Sequence, residues 1–314
     1  MNILPYEIHL LVIDYLYNDD LSIYFVNKYF FSMLKHSKIQ NTIIKKIIKK
    51  GELGVIRYIN KLFRVNDELV IGNKLFESSG INNYLLTACK YGHCKLVKYF
   101  VECGADIHYK TDYSLQLACK YGYLEIVKYL VKKGANINTD DCYAVQLASR
   151  EGHLKIVKYL VELGTNVRKD RDLAFRWSVE NNHLSVTKYL VELGSDVRSE
   201  KNYAIKKSCE YGYFEMTQYL INQGANFRVD NDYAVRFASK NGHLNIVVYL
   251  ISCGVDFRTN NYSPLRLAAC YSQFDILKYF ISIDTNTDKN YNIIKRYLPT
   301  HHKSKINELF PDRK

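Results

Sequence analysis

The sequence predicts an all-α solenoid: pairs of short helices stacked at a 30-residue period, with a small helical region ahead of them. Three observations predict it. From Gly92 onward the eleven glycines fall in two slots, alternately 12 and 18 residues apart, at 92, 104, 122, 134, 152, 164, 194, 212, 224, 242 and 254. Tyr99, Tyr129, Tyr159, Tyr189, Tyr219, Tyr249 and Tyr279 recur every 30 residues, and Ala88, Ala118, Ala148, Ser178, Ser208, Ala238 and Ala268 keep the same step. Each copy carries the apolar spacing of one helix face, as in Leu154, Ile156, Val157 and Leu160. Seven copies in register mark an array of stacked units.

Composition narrows the possibilities. Of the 314 residues 47% are apolar and 24% charged, the balance of a core-forming chain. The net charge of +12 is spread along the chain, so there is no basic tail. The longest purely apolar runs are only a few residues, such as Leu10 to Ile13, against the ~18 a membrane span requires. Pro5, Glu7 and Asp14 stand where a secretory signal would need a positive flank and an unbroken apolar centre. Twenty-eight Tyr against one Trp and four Pro, with frequent Asn, Lys and Ile, is a bias that AT-rich codons produce.

Residues 1–40 come first. Leu4-Pro5-Tyr6-Glu7-Ile8, then Ile13, Tyr15-Leu16, Asp20-Leu21, Val26-Asn27-Lys28 and Phe30 resemble an F-box, the three-helix segment that docks on the Skp-family adaptor of cullin-based ubiquitin ligases. The resemblance implies Leu4, Pro5, Ile8, Leu16, Leu21 and Val26 as the apolar contacts with that adaptor. It departs from the pattern in the spacing from Leu21 to Val26 and in having Phe30 where Trp is frequent. The alternative is a helical cap covering the first repeat.

Residues 41–82 read as a degenerate capping copy with a loop insertion. Ile43-Ile44-Lys45-Lys46-Ile47-Ile48-Lys49-Lys50-Gly51 puts isoleucines on one helical face and lysines on the other, and Gly51 and Tyr58 keep the spacing of Gly92 and Tyr99. A basic membrane-surface helix is the competing reading. About a dozen inserted residues follow within 60–82, with Gly72, Ser78, Ser79 and Gly80 marking loop.

Residues 83–290 hold the seven copies. In the third, a first helix runs from Ala144 to Glu151 and stops at Gly152, and a second is ended by Gly164. Helices of ~8 to 10 residues do not persist alone in water, so their apolar faces must stack on neighbouring copies. Where the glycine lattice skips, Asn182, Ser272 and Asp284 stand in, and Asn and Asp tolerate left-handed backbone best among the rest. The segment Glu151-Gly152-His153-Leu154-Lys155-Ile156-Val157-Lys158-Tyr159-Leu160 and the Ser263-Pro264-Leu265-Arg266-Leu267-Ala268 start of the last copy resemble an ankyrin repeat. Two departures matter. The period is 30 rather than 33, the missing residues falling in the turn that normally projects as a β-hairpin finger, and the usual Pro is Ala144, Ala174, Ala204 and Ala234 in the middle copies. Short turns are therefore expected, as in ankyrin proteins of large DNA viruses with AT-rich genomes, which the chain resembles. Residues 291–314 read as a closing helix, Tyr291 to Leu298, stopped by Pro299, and a tail.

Cysteine and histidine are the candidate chemical groups within this frame. Cys89, Cys119 and Cys209 share one slot, Cys103 and Cys253 another, and no Cys-x-x-Cys spacing exists, so the eight cysteines read as free thiols of a reducing compartment, the cytoplasm or that of a host. His93, His153, His183 and His243 share a slot at the start of the second helix. Neighbouring copies about 10 Å apart would hold them too far from one another to share a metal, and an imidazole there can bond free backbone groups. No phosphate-cradling loop occurs. The reading is a non-enzymatic chain without cofactor or metal.

Two basic ladders stand out: Arg168, Arg198, Arg228 and Arg258 after the second helices, and Arg176, Lys206, Arg236 and Arg266 in the first helices. A row of cations could bind an acidic protein strip or a nucleic-acid backbone. Internal pairing is the alternative, with Asp172 to Arg176 and Asp232 to Arg236 four apart on one helix. The tyrosine ladder takes a face filled by Leu in ankyrins and reads as core. Copies four and five break pattern most, with Trp177 and Lys207 in apolar slots, which marks a partner contact or local drift. The resulting expectation is a monomeric scaffold that binds a protein through the middle copies around Arg176, Trp177, Lys206, Lys207 and Arg236. A sharper version makes it an F-box substrate adaptor that redirects a host ligase, and the competing class is a nucleic-acid binder using the ladders.

Overall fold

The computed structural model describes residues 37–57 and 78–311, and every element in that range is a helix. In order these are α1 (Ser37–Lys50), helical residues 53–57, α2 (Ser78–Tyr91), α3 (Cys94–Glu102), α4 (Tyr109–Lys120), α5 (Leu124–Lys132), α6 (Thr139–Arg150), α7 (Leu154–Glu162), α8 (Lys169–Glu180), α9 (Leu184–Glu192), α10 (Ser199–Tyr211), α11 (Phe214–Asn222), α12 (Val229–Asn241), α13 (Leu244–Ser252), α14 (Thr259–Cys270), α15 (Phe274–Ile283) and α16 (Thr287–Tyr297), then a 3-10 turn (Thr300–Lys305) and α17 (Ile306–Leu309). The chain forms two compact units, residues up to 118 with 128–135, and 119–127 with 136–314. The F-box-like residues 4–34 and most of the inserted loop lie outside the described residues.

In the second unit the first helices α6, α8, α10, α12 and α14 pack in sequence, and so do second helices such as α11, α13 and α15. Ala148, Ala174, Ala204, Ala238 and Ala268 sit at the contact faces of the first helices, fully or almost fully buried. On the second helices, Ile156, Val157 and Leu160 and their equivalents Ile246, Val247 and Leu250 are buried. Each second helix before the last ends in a left-handed glycine: Gly164 donates to Val161 at 2.8 Å and Thr165 to Leu160 at 3.1 Å, satisfying carbonyls the helix leaves free.

The turn between copies is where the short period acts. Three consecutive residues before each right-handed first helix have φ between 48° and 67°: residues 110–112, 140–142, 170–172, 200–202, 230–232 and 260–262. A left-handed residue costs ~1–2 kcal/mol, least for Asn and Asp. Eleven of these eighteen residues are Asp or Asn, which is why the turn is tolerated without glycine. Pro264 sits just after the last such turn, where its missing N–H costs nothing. An Asp or Asn ahead of each turn accepts a backbone N–H two residues on, as Asn166 does from Arg168 at 2.9 Å and Asp196 from Arg198 at 2.8 Å. The third left-handed residue can tie one copy to the next: Asn202 accepts the N–H of Asn226 at 2.8 Å.

The histidine slot makes a second tie. His153 Nε2 lies 3.0 Å from the carbonyl of Lys120, and His243 Nε2 lies 3.0 Å from that of Glu210. Tyr213 and Gln273 fill the same slot and bond the carbonyls of Glu180 and Lys240. The preceding glycine of the earlier copy permits this twice over. Gly152 has φ +80°, and a Cβ on it would lie 2.4 Å from His183 Nδ1. The glycines at the other slot, such as Gly164, need only their φ, with open space around them. Asn182 and Ser272 take the expected left-handed conformation, but Asp284 is extended at φ −107°, because its buried carboxylate turns to Arg258 instead.

In the first unit, Ile44, Ile47 and Ile48 of α1 are buried and α1 packs on α2. His93 bonds the carbonyl of Lys49 at 2.9 Å, and a Cβ on Gly51 would lie 2.8 Å from its ring. The apolar face is thus spent on the next copy, as in a capping repeat, rather than offered to a membrane surface. Among the described residues no helix is long and apolar enough to cross a membrane. Ser78, Ser79 and Gly80, expected as loop, form the first turn of α2, and the closing helix begins at Thr287 because Asn286 caps it by accepting from Lys289.

Copies four and five differ in their core. Ser178 and Thr187 are fully buried and 2.8 Å apart, and Ser208 and Thr217 are fully buried and 3.0 Å apart. The other copies hold Ala in the first slot and Val or Leu in the second.

Two outcomes follow in urea unfolding. Gly164→Ala should cost about 1–2 kcal/mol, the left-handed penalty alone, and Gly152→Ala clearly more, with the excess vanishing in a His183→Ala background. Removing both hydroxyls by Ser178→Ala with Thr187→Val should stabilise by about 1 kcal/mol and either single change by less, because each hydroxyl also bonds a backbone carbonyl, Ser178 that of Phe175 at 2.8 Å and Thr187 that of His183 at 3.1 Å, which the remaining one keeps.

Candidate interaction surface

The two basic ladders are consumed by the fold. In the first-helix ladder, Arg176 donates from Nε to the carbonyl of Arg171 at 3.1 Å and from Nη2 to that of Asp170 at 3.0 Å. Arg236 and Arg266 bond the carbonyls of Asp230 and Asn260 at 2.8 and 3.1 Å, and Gln116 and Gln146 fill the slot in earlier copies with the same bond. These side chains satisfy carbonyls of the left-handed turns. Lys206 instead pairs with Asp230 at 2.9 Å, which holds that exposed carboxyl below its ordinary pKa.

The other ladder spans the turn. Arg228 pairs with Asp232 at 2.8 Å, Arg168 approaches Asp172 at 3.6 Å, Arg198 bonds the Gly224 carbonyl at 2.8 Å, and Arg258 holds Asp284 at 2.9 Å. The pairs expected from spacing, Asp172 with Arg176 and Asp232 with Arg236, do not form. The acid of each pair is itself the last left-handed residue of its turn and stands outside the right-handed helix that carries the base, so a separation of four no longer places them on one face.

The tyrosine ladder is not core. All seven rings are half-buried. Lys158 lies 5.3 Å from the Tyr189 ring centre and Lys188 5.6 Å from that of Tyr219. Burial foremost, then nearby glutamates, raises the phenol pKa of Tyr189 and Tyr219. A leucine there would leave its whole apolar tip half-exposed, whereas Tyr keeps a polar one in water.

The first helices of copies three to five carry the remaining candidate surface, a shallow depression of about 640 Å³ lined by Arg150, Glu151, Trp177, Glu180, Asn181, Tyr211 and Tyr213. Trp177 is the chain's one tryptophan. The Arg150 guanidinium sits 5.3 Å from its ring centre, and Tyr143 meets it edge-on at 6.0 Å. Arg150 also pairs with Glu151 at 2.7 Å. Tyr211, 41% exposed, lies 5.7 Å from Tyr213, whose hydroxyl donates to the Glu180 carbonyl at 3.2 Å. Lys207 borders the site, 5.2 Å from the Tyr211 ring centre and paired with Glu210 at 2.9 Å. Burial works against its charge, but Glu210 and the two flanking tyrosines outweigh that and raise its pKa.

Of the residues expected from sequence, the depression therefore gathers Trp177 with Lys207 at its edge, and the ladder arginines stand apart from it. Arg150, Glu180, Tyr211 and Tyr213 were missed. The signal for them was a sign change in one slot, which reads Lys90, Lys120, Arg150, Glu180, Glu210 and Lys240 along the copies. Burial raises the Cys89, Cys119 and Cys209 thiols, the last to about 12, which keeps these three unreactive.

A family model described as ankyrin repeats (3 copies) matches residues 28–141, 85–171, 115–201 and 204–293. Ankyrin repeat protein R880 of Acanthamoeba polyphaga mimivirus is 99% identical over 117 residues, 37% of this chain and 46% of that protein. Ankyrin repeat proteins R837 and R844 of the same virus are 36% and 32% identical over 114 residues, covering 36% of this chain and 18% and 51% of their own lengths. The matched segment spans about half or less of each of these relatives.

His183 fixes one wall of the site by bonding the backbone of Arg150. Burial lowers its pKa from the ordinary 6.5, outweighing the opposing effects of that hydrogen bond and of Glu151. As pH falls through 6.5 the unfolded chain binds a proton that the folded chain resists, so stability drops. Glutamine keeps the bond without titrating, as Gln273 does on Lys240. His183→Gln should therefore lose less stability than the parent between about pH 7 and pH 5, measured by urea midpoints at each pH.

Proposed function

The chain belongs to the ankyrin-repeat family, a general protein-interaction module that is typically a non-enzymatic scaffold, and on that premise we propose that it binds a partner protein on the first-helix surface of copies three to five. One observation carries this reading. The cations of the two ladders already bond the turns and their carboxylates, whereas the aromatic side chains around Trp177 and Tyr211 are exposed or half-exposed with little beyond one another and two nearby cations to cover them. Half-exposed Trp, Tyr and Arg on rigid helices are the side chains that dominate binding energy at protein interfaces. A standard interface of ~800 Å² per partner would engage three or four copies, with the depression near its centre. Trp177 and Lys207 stand in one slot where the second, third, sixth and seventh copies have Leu or Phe, which is expected of a contact surface.

A nucleic-acid partner on the ladders would have to compete with the bonds those arginines make inside the fold, and losing them would strand the carbonyls of strained turns. The more specific version of the protein-binding reading rests on residues 4–34, whose F-box resemblance supports docking on a Skp-family adaptor through Leu4, Pro5, Ile8, Leu16, Leu21 and Val26. The array would then present a bound protein for ubiquitin transfer.

Proximity labelling in cells with the full chain and its variants tests both layers. Trp177→Ala with Tyr211→Ala should reduce labelling of the specific partner about tenfold or more, and Arg168→Ala with Arg198→Ala should spare it; the reverse result would overturn the assignment of the surface. Leu16→Asp should remove a Skp-family protein from the labelled set, and labelling of that protein that survives deletion of residues 1–40 would dismiss the adaptor role.

A further inference from the structure

The depression differs from the rest of the first-helix surface in the sign of its charge. On a chain of net charge +12, its lining carries one guanidinium and two carboxylates. Arg150 and Glu151 pair with each other at 2.7 Å, and just outside, Lys207 and Glu210 pair at 2.9 Å. Glu180 forms no ion pair among the described residues. Its carboxylate is hydrogen-bonded by Tyr203, a neutral group. It is half-buried, with Trp177 and Tyr211 beside it in the same depression. The same slot is basic at Lys120 and Arg150 before it and at Lys240 beyond, and acidic at Glu180 and Glu210 alone, so an acid here is a local reversal rather than the habit of the repeat.

A half-buried carboxylate left without a cation is an incomplete electrostatic arrangement, because Coulomb attraction is stronger where water is partly excluded. The groups around it define what would complete it. Flat aromatic faces attract a cation, and a planar guanidinium both stacks on such faces and pairs with a carboxylate through two parallel N–H bonds, which a compact ammonium cannot do. Arg150 already shows the arrangement from inside the chain, with its guanidinium against Trp177 and bonded to Glu151. Burial first, then Glu180 for Tyr203, and Tyr211 followed by Glu180 for Tyr213, raises both phenol pKa values, so both remain neutral beside the carboxylate at physiological pH.

Resting on the protein-binding reading above, we infer that the depression takes an arginine side chain from an exposed segment of the partner protein, with Glu180 as its counter-ion and Trp177, Tyr211 and Tyr213 as its walls. The partner's contacting segment is basic, the opposite of the acidic strip that the arginine ladders alone would suggest.

Trp177 makes the test direct, because the chain's one tryptophan lies in the site and its emission reports occupancy. The full chain is titrated with an uncharged-background glycine-serine peptide bearing one central arginine, and with counterparts bearing lysine or glutamate. The expected result is a saturable change in emission with the arginine peptide, weaker binding of the lysine peptide by about threefold or more, and no saturable change with glutamate. Glu180→Gln should weaken the arginine peptide about tenfold, and Glu210→Gln, outside the depression, should change it less than twofold. Circular dichroism confirms that both variants keep their helix content. No saturable response to the arginine peptide, equal response to the glutamate peptide, or an affinity unchanged by Glu180→Gln would each overturn the inference. If a partner lost on Trp177→Ala with Tyr211→Ala is still labelled by Glu180→Gln, the surface stands and the arginine assignment alone falls.

Discussion

A period of 30 residues leaves the chain too short between copies to build a projecting hairpin, so it must reverse through three residues of left-handed backbone. Much else in this protein follows from that. Each turn carries three unfavourable φ values, and ~1–2 kcal/mol apiece would be prohibitive if repeated at every copy without compensation. Asp and Asn lower the penalty, an Asp or Asn just ahead caps the approach, and Arg or Gln on the following helix satisfies the exposed carbonyls, as Arg176 does for Asp170 and Arg171. The basic ladders are the repeating mark of this compensation. Their regularity comes from the backbone's regularity and says little about what the surface binds.

Glycine, helix pairing and the apolar faces were legible in the sequence because each is a one-residue signal with a single physical cause. The left-handed turn was not. Asp172 and Asp232 ahead of a helix look like ordinary acids at an N-terminus, and their distance from Arg176 and Arg236 looks like a helical pair. Only the backbone reveals that each acid is itself left-handed and stands outside the helix that carries the arginine. Gly152 was readable as a left-handed residue but not as a close approach, because the ring that needs the space belongs to His183, some thirty residues away. The tyrosine ladder misled for a related reason: a slot that is core in a longer repeat is half-exposed here, and burial is a property of the stack rather than of the letter.

The candidate site was half legible. Trp177 and Lys207 stood out because they replace apolar residues, whereas Glu180 hid in a polar slot where only its sign is unusual. Departures from a repeat's own consensus act as internal controls, since every other copy shows what the fold alone requires at that slot. By this standard the arginine ladders carry no information about partners, and copies four and five carry most of it.

Those two copies also hold the paired hydroxyls of Ser178 with Thr187 and Ser208 with Thr217, where their neighbours bury Ala with Val or Leu. A buried hydroxyl pair retains its hydrogen bond but gives up methyl burial, so it adds less to stability than the apolar pair. In an array whose stability is approximately a sum over copies and their interfaces, the deficit stays local. The array therefore concentrates its weakest core beneath its most distinctive surface. Neither feature is demanded by the turn, the glycine slots or the histidine tie, all of which copies four and five keep, with Asn182 and Tyr213 serving in place of Gly and His. What the fold requires is conserved between copies, and what it does not require changes together in two adjacent ones, in line with the partner-binding role proposed for their surface.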